Sequence, residues 1–208
     1  MNEAKSAETG AVNPHGHGRA SDWIERHLIG ATPGGTVIDV ACGAGRHLRR
    51  ALALGHPVVG LDRDVSGLAD LAGEAGVEIV AHDIEAEGGL ALPLQGRRFA
   101  GVIVTNYLHR PLFPVLRDLV AEDGMLLYET FARGQGRHGK PSKPAFLLEP
   151  NELLSPALIE GLVAIAVEQG ELPADLTVTR NAKIVQRICA VGPKHPWAEA
   201  APRPIGFR

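Results

Sequence analysis

Residues 37–52 read VIDVACGAGRHLRRAL, and the change of pattern inside them decides the fold. VIDV has the β-branched, apolar character of a buried strand. Gly43 and Gly45 then break the chain, and a run with helical spacing, residues 46–54, follows. Strand, glycine turn and helix in succession open a nucleotide-type α/β unit. Glycine lets backbone approach a ligand closely, and the first helical turn leaves N–H groups unpaired. The dinucleotide fingerprint G-x-G-x-x-G is incomplete, because Leu48 stands where the third glycine belongs. Asp39 also stands at the strand end ahead of the glycines. A carboxylate there opposes a pyrophosphate and suits a cation such as the ammonium of an amino acid.

Working outward, strand-like and helix-like runs alternate. Residues 57–61 (PVVGL), 77–80, 99–105 (FAGVIVT) and 124–131 (GMLLYETF) read as strands, and residues 65–73 and 111–120 as helices between them. Upstream, residues 20–29 form a helix capped by Ser21 or Asp22. Its Trp23 reads either as a cover for the ligand site or as a core aromatic. Downstream come a loop at 132–150, a short helix at 152–159, and strands at 162–168 and 183–191. These elements predict a Rossmann-like doubly wound α/β fold: a seven-stranded, mostly parallel sheet with a C-terminal antiparallel hairpin. Residues 1–18 read as a flexible arm, 19–192 as the ligand-binding domain and 193–208, rich in proline, as an irregular tail.

Composition narrows the function. A net charge of −3 and only 4% aromatic residues argue against a nucleic-acid partner. Cys42 and Cys189 cannot build a disulfide framework and read as reduced thiols of a cytoplasmic protein. The N-terminus has no secretory signal pattern, and no apolar run suffices for a membrane span. His15-Gly16-His17 has no supporting carboxylate or cysteine, so no metal site is expected.

Two further acids extend the glycine-loop signal. Asp62 ends the second strand, where a carboxylate accepts hydrogen bonds from ribose hydroxyls. Asp83 follows the third strand, within reach of an adenine amine. A ligand with a cationic amino acid end, a ribose and an adenine describes S-adenosylmethionine (SAM) better than NAD.

With these residues in place, the chain resembles the class I SAM-dependent methyltransferases over roughly residues 20–191. Residues 37–45 are similar to their glycine-loop motif, 58–62 to their acidic ribose motif and AHDIE to their adenine segment. CGAGRH followed by GHPVVGLDRD resembles the tellurite-resistance-type branch. NYLHRPL and LLYETF resemble uncharacterised bacterial methyltransferase-domain proteins. The resemblance implies SAM as cofactor, contacted by Asp39, Ala41, Gly43, Gly45, Asp62, Arg63, Asp83, Ile84, Thr105 and Asn106.

Strand ends form the ligand crevice of such sheets, which brings TNYLHRPL to the site. His109 and Tyr107 are the candidate catalytic residues, His109 because imidazole titrates near neutrality; a loop histidine bonded to a carbonyl is the other reading. The loop at 132–150 carries Arg133, Arg137 and Lys140. With Arg110 these cations are candidate contacts for a small polar or anionic substrate, under a mobile lid. The alternatives are a SAM-binding module without turnover, and an RNA or protein methyltransferase. The sequence does not define the oligomeric state.

Overall fold

The computed structural model describes residues 18–86, 91–174 and 181–199. The arm at 1–18, with His15 and His17, lies outside these residues except for Gly18, and the tail is described only to residue 199.

The strands are β1 (Val37–Val40), β2 (Val58–Asp62), β3 (Val77–Ala81), β4 (Phe99–Thr105), β5 (Val120–Phe131), β6 (Val163–Leu172) and β7 (Lys183–Val191). They form one seven-stranded sheet in the order β3-β2-β1-β4-β5-β7-β6. The first five run parallel; β7 is antiparallel to both β5 and β6. The helices are α1 (Asp22–His27), α2 (Arg46–Ala53), α3 (Ala91–Leu94), α4 (Phe113–Asp118), α5 (Pro156–Ile159) and α6 (Pro196–Glu199). The mostly parallel Rossmann-like sheet and its antiparallel C-terminal pair are thus as the alternating pattern predicts.

Two apolar layers sandwich the sheet. Ile38, Val40, Val102, Val104 and Leu126 pack with Phe113 and Leu116 of α4 and Leu158 of α5. Val37, Val58, Ile103 and Leu127 pack with Trp23 and Ile24 of α1 and Leu48 and Ala51 of α2. Neighbouring residues of one strand serve opposite layers, so β1 and β4 are buried along their whole length, as parallel strands covered on both faces must be. Trp23 belongs to this core: its indole N–H donates to the Ile188 carbonyl (3.2 Å) and its ring packs beneath the Arg187 guanidinium.

Several boundaries differ from the sequence reading. The span 65–73 forms only a 3-10 turn, Ser66–Leu71, because Gly67 packs against Ala44 and weakens helix propensity. In 111–120, Arg110–Leu112 is a 3-10 turn, α4 is short, and Val120 pairs with Phe99 in the sheet. The sequence 91–94 gave no helical signal, yet α3 stands there. Strand β6 runs on through Gln169-Gly170-Glu171-Leu172, whose polar composition carries no strand pattern; the partner β7 supplies the pairing. Within the expected irregular tail, α6 is docked on the core, with the buried His195 bonded to the Gly30 carbonyl (2.9 Å).

Candidate functional site

The chain leaves β1 toward β2 on one side and reaches β4 on the other, so the sheet order reverses there. Ligands of open α/β sheets bind in the crevice beyond the strand ends at such a point. A cavity of about 620 Å³ lies there, within the roughly 300–1,000 Å³ of small-molecule sites. It is walled by residues 41–44 after β1, Asp62 and Arg63 at the end of β2, residues 82–85 after β3 and residues 105–107 at the end of β4. Arg46 and His47 of α2 and Gly18 complete the wall.

The loop after β1 is tightly folded. Ala41, Gly43 and Gly45 all have positive φ (55°, 53° and 73°). Ala41 takes this conformation without glycine's freedom, a strain on the order of 1–3 kcal/mol that clusters at functional sites. Gly43 has open space where a side chain would stand, so ligand can lie against the backbone. A Cβ on Gly45 would stand 2.4 Å from Leu68, so this glycine serves packing and does not line the cavity.

Three carboxylates organise the loop ends. Asp62 accepts the Gly43 amide with one oxygen (2.8 Å) and the Asp64 amide with the other (3.0 Å), and each oxygen retains a lone pair. Asp83 accepts the Glu85 amide (3.0 Å) and turns the chain after β3. Asp39 lies deeper, behind the cavity wall. Its Oδ2 accepts the Leu48 amide (3.2 Å), satisfying one free N–H of the α2 first turn, while its Oδ1 is buried without a partner. Burial raises the Asp39 carboxyl to about 7, opposed by the Leu48 bond and Arg46 and reinforced by Asp62.

The end of β4 is joined to α2 and α1. The His47 imidazole lies between the Ser21 amide, which donates to Nε2 (3.3 Å), and the Thr105 hydroxyl at Nδ1 (3.1 Å). Burial lowers its pKa to about 3, with Arg46 and Lys183 adding to the effect. Asn106 has φ +56° and donates its amide to the Glu129 carbonyl (2.9 Å). Glu129 itself is buried, paired with Lys183 (2.6 Å) and more loosely with Arg187 (3.5 Å).

Of the sequence-predicted cofactor residues, Ala41, Gly43, Asp62, Arg63, Asp83, Ile84, Thr105 and Asn106 share the cavity wall; Asp39 and Gly45 stand behind it. The candidate catalytic pair is not brought together. Tyr107 lines the cavity, but its phenol donates to Glu85 (2.9 Å), and burial and that carboxylate push its pKa well above the usual range. Its proton is engaged by the Glu85 carboxylate. His109 is half-buried at the start of the Arg110–Leu112 turn, outside the wall.

The four candidate substrate cations all lie outside the wall. Arg110 binds both oxygens of Glu152 (2.5 and 2.9 Å) and the carbonyls of Ala145 and Leu147. Its donors are engaged in closing the 132–150 loop. Arg133 pairs with Glu149 (2.7 Å) and Arg137 with Glu171 (3.3 Å); Lys140 is exposed. The loop is anchored where Ala132 bridges Leu148 and where the buried Gln135 accepts the Ile184 amide (2.7 Å). These contacts staple the loop to the end of β5 and to β7.

Sequence reasoning missed His47, Arg46, His82 and Glu85 as wall residues. For Arg46 and His47 a signal existed, because they open the helix after the glycine loop. Among the described residues, no group of three His, Cys, Asp or Glu side chains could hold a metal ion, and no helix is long and apolar enough to cross a membrane.

No family model and no curated protein matches the chain. Solved structures do. TehB from Haemophilus influenzae aligns at TM-score 0.59 and 18% identity, covering 82% of this chain, which spans 61% of that one. The glycopeptide N-methyltransferase MtfA complexed with sinefungin aligns at 0.56 and 18%, covering 89% and 90%. A chain in the complex between the Haloferax volcanii Trm112 methyltransferase activator and a putative methyltransferase aligns at 0.60 and 13%, covering 82% and 89%. At these identities the likeness shows the fold alone, a Rossmann-like sheet that these solved structures share.

Proposed function

We propose that this protein binds SAM in the cavity beyond β1, β2 and β4 and transfers its methyl group to a small polar molecule by in-line displacement. The observation that carries this reading is the order of groups along the wall. The open backbone at Gly43 and the unpartnered Asp39 oxygen behind it suit an amino acid ammonium. Asp62 stands next, with lone pairs for ribose hydroxyls, and Asp83 with Ile84 lies beyond for an adenine. SAM-like ligands occupy the neighbour MtfA, which supports the same cofactor here.

Bound SAM supplies an electrophilic methyl on a sulfonium that leaves as a neutral thioether, so alignment and water exclusion can provide most of the rate. The residues at the end of β4 are suited to alignment. Thr105 presents a hydroxyl, and Asn106 is held by its backbone bond to Glu129. Neither Tyr107 nor His47 is free to take a proton. An acceptor atom that carries its reactive lone pair on arrival, as an anion or an unprotonated nitrogen does, needs neither of them. The buried free thiols Cys42 and Cys189 suit a reducing cytoplasm.

Calorimetric titration of the purified protein with SAM and S-adenosylhomocysteine (SAH), followed by radiolabelled methyl transfer to pooled metabolites, tests the proposal. Micromolar binding of both and label in a small product are expected. Failure of the folded protein to bind either ligand overturns the cofactor assignment; binding without transfer to any pool leaves a cofactor-binding module.

A further inference from the structure

We propose that His47 is a positioning residue, held between the Ser21 amide and the Thr105 hydroxyl so that Thr105 turns its own proton toward the amino acid end of a ligand in the cavity. The inference rests on the SAM reading above for the identity of that ligand. The hydrogen-bond chain itself is independent of it.

The direction of the chain follows from which groups can only donate. A backbone amide has no acceptor, so Ser21 N–H fixes Nε2 of His47 as the bare nitrogen. The ring is buried, 1% exposed, and desolvation disfavours its charged form. The single proton of the neutral ring therefore lies on Nδ1 and is donated to Thr105 Oγ1 at 3.1 Å. That bond occupies an oxygen lone pair, and the hydroxyl proton of Thr105 must find an acceptor elsewhere. Thr105 is buried except where it lines the cavity, so the proton is directed at the ligand. A threonine alone rotates among three staggered positions; bonded to His47 it is preset as a donor, and binding loses no free energy in orienting it. The residue is also neutral, which matters beside a sulfonium and an ammonium: a charged imidazole at this place would repel the ligand.

Two substitutions separate positioning from packing. In His47→Gln, the side-chain oxygen can still accept from Ser21, but the donor to Thr105 is lost. In His47→Asn, the amide nitrogen can stand near Nδ1 and donate to Thr105. Titrations of SAH into Thr105→Val and His47→Gln should each show affinity weakened about 5- to 20-fold, the effect of a hydrogen bond of roughly 1–2 kcal/mol. The double variant should be no more than about twofold weaker than the worse single one, because both remove one chain. His47→Asn should recover most of the loss. In the unmodified protein, nitrogen NMR of labelled histidine should show His47 with its proton on Nδ1. A proton on Nε2, additive losses in the double variant, or equal losses in Gln and Asn would each overturn the assignment. Wild-type protein that fails to bind SAH counts against the SAM reading, while the NMR still decides the direction of the chain.

Discussion

The Asp62 carboxylate accepts the Gly43 amide at 2.8 Å, so the residue that ends β2 also holds the turn that follows β1. One side chain thereby ties together the wall at two neighbouring strand ends. Replacing Asp62 with alanine removes both acceptor oxygens, so the Gly43 and Asp64 amides each lose their partner. In Asp62→Ala, amide exchange at residues 43–45 is expected to quicken without SAM, and SAM affinity to fall by roughly 1.5–3 kcal/mol, the scale of hydrogen bonds to a charged group. Calorimetry and exchange mass spectrometry measure the two effects. Unaltered SAM affinity in a folded Asp62→Ala protein would remove Asp62 from the ribose site.

Asp39 predicts a pH dependence. Its carboxyl stands near 7 when folded against 3.8 for the ordinary group. The folded protein therefore holds the extra proton between those values, and this group's contribution to stability falls as pH rises from about 4 to 7. An asparagine side chain at this position would not titrate, so the stability of Asp39→Asn minus that of wild type should grow across that window in denaturant melts. A difference independent of pH would contradict the raised pKa. An ammonium brought near Oδ1 lowers the same pKa, so SAM binding at pH 6 should release protons. Titrations in buffers of different ionisation enthalpy report that release.

Arg110 acts as a clamp between the 132–150 loop and Glu152. Arg110→Ala should cost about 1–2 kcal/mol, and Arg110→Lys should recover little because an ammonium cannot reproduce the fork. Limited proteolysis within 138–147 should accelerate in both. Wild-type resistance in Arg110→Ala would mean that the carbonyl bonds do not hold the loop.

The buried pair Lys183–Glu129 should behave asymmetrically. Lys183→Met leaves the buried Glu129 with only the longer contact to Arg187, and a loss of about 3 kcal/mol is expected. The double variant Lys183→Met with Glu129→Gln removes the stranded charge, and its stability should exceed that of the single variant. Urea melts of both compare them directly; equal destabilisation would show that the charge is not stranded.

The parts of this molecule that were legible in the sequence are those set by short-range pattern. VIDVACGAG announces the loop because its strand and its glycines are adjacent, and Asp62, Asp83, Thr105 and Asn106 reach the wall because parallel strands end side by side. What escaped depends on partners far along the chain. His47 acquires its role from Ser21 and Thr105. Arg110 and the cations of the 132–150 loop looked free because Glu149, Glu152 and Glu171 follow them in sequence without any spacing rule that pairs them. Likewise α6 is helical and docked through His195 on Gly30, a contact no local pattern could announce.

All four residues of β1 are buried between two apolar layers, yet the residues just past its end form the cavity wall. The floor and the rim are thus under separate constraints. Exchanging Val37 or Ile38 disturbs packing on both sides of the sheet, whereas the exposed Arg63 can change with little repacking beneath it. A chain built in this way is evolvable at its mouth. Diversification of such rim positions, with the strands left untouched, is the direct route to altering which molecules it admits.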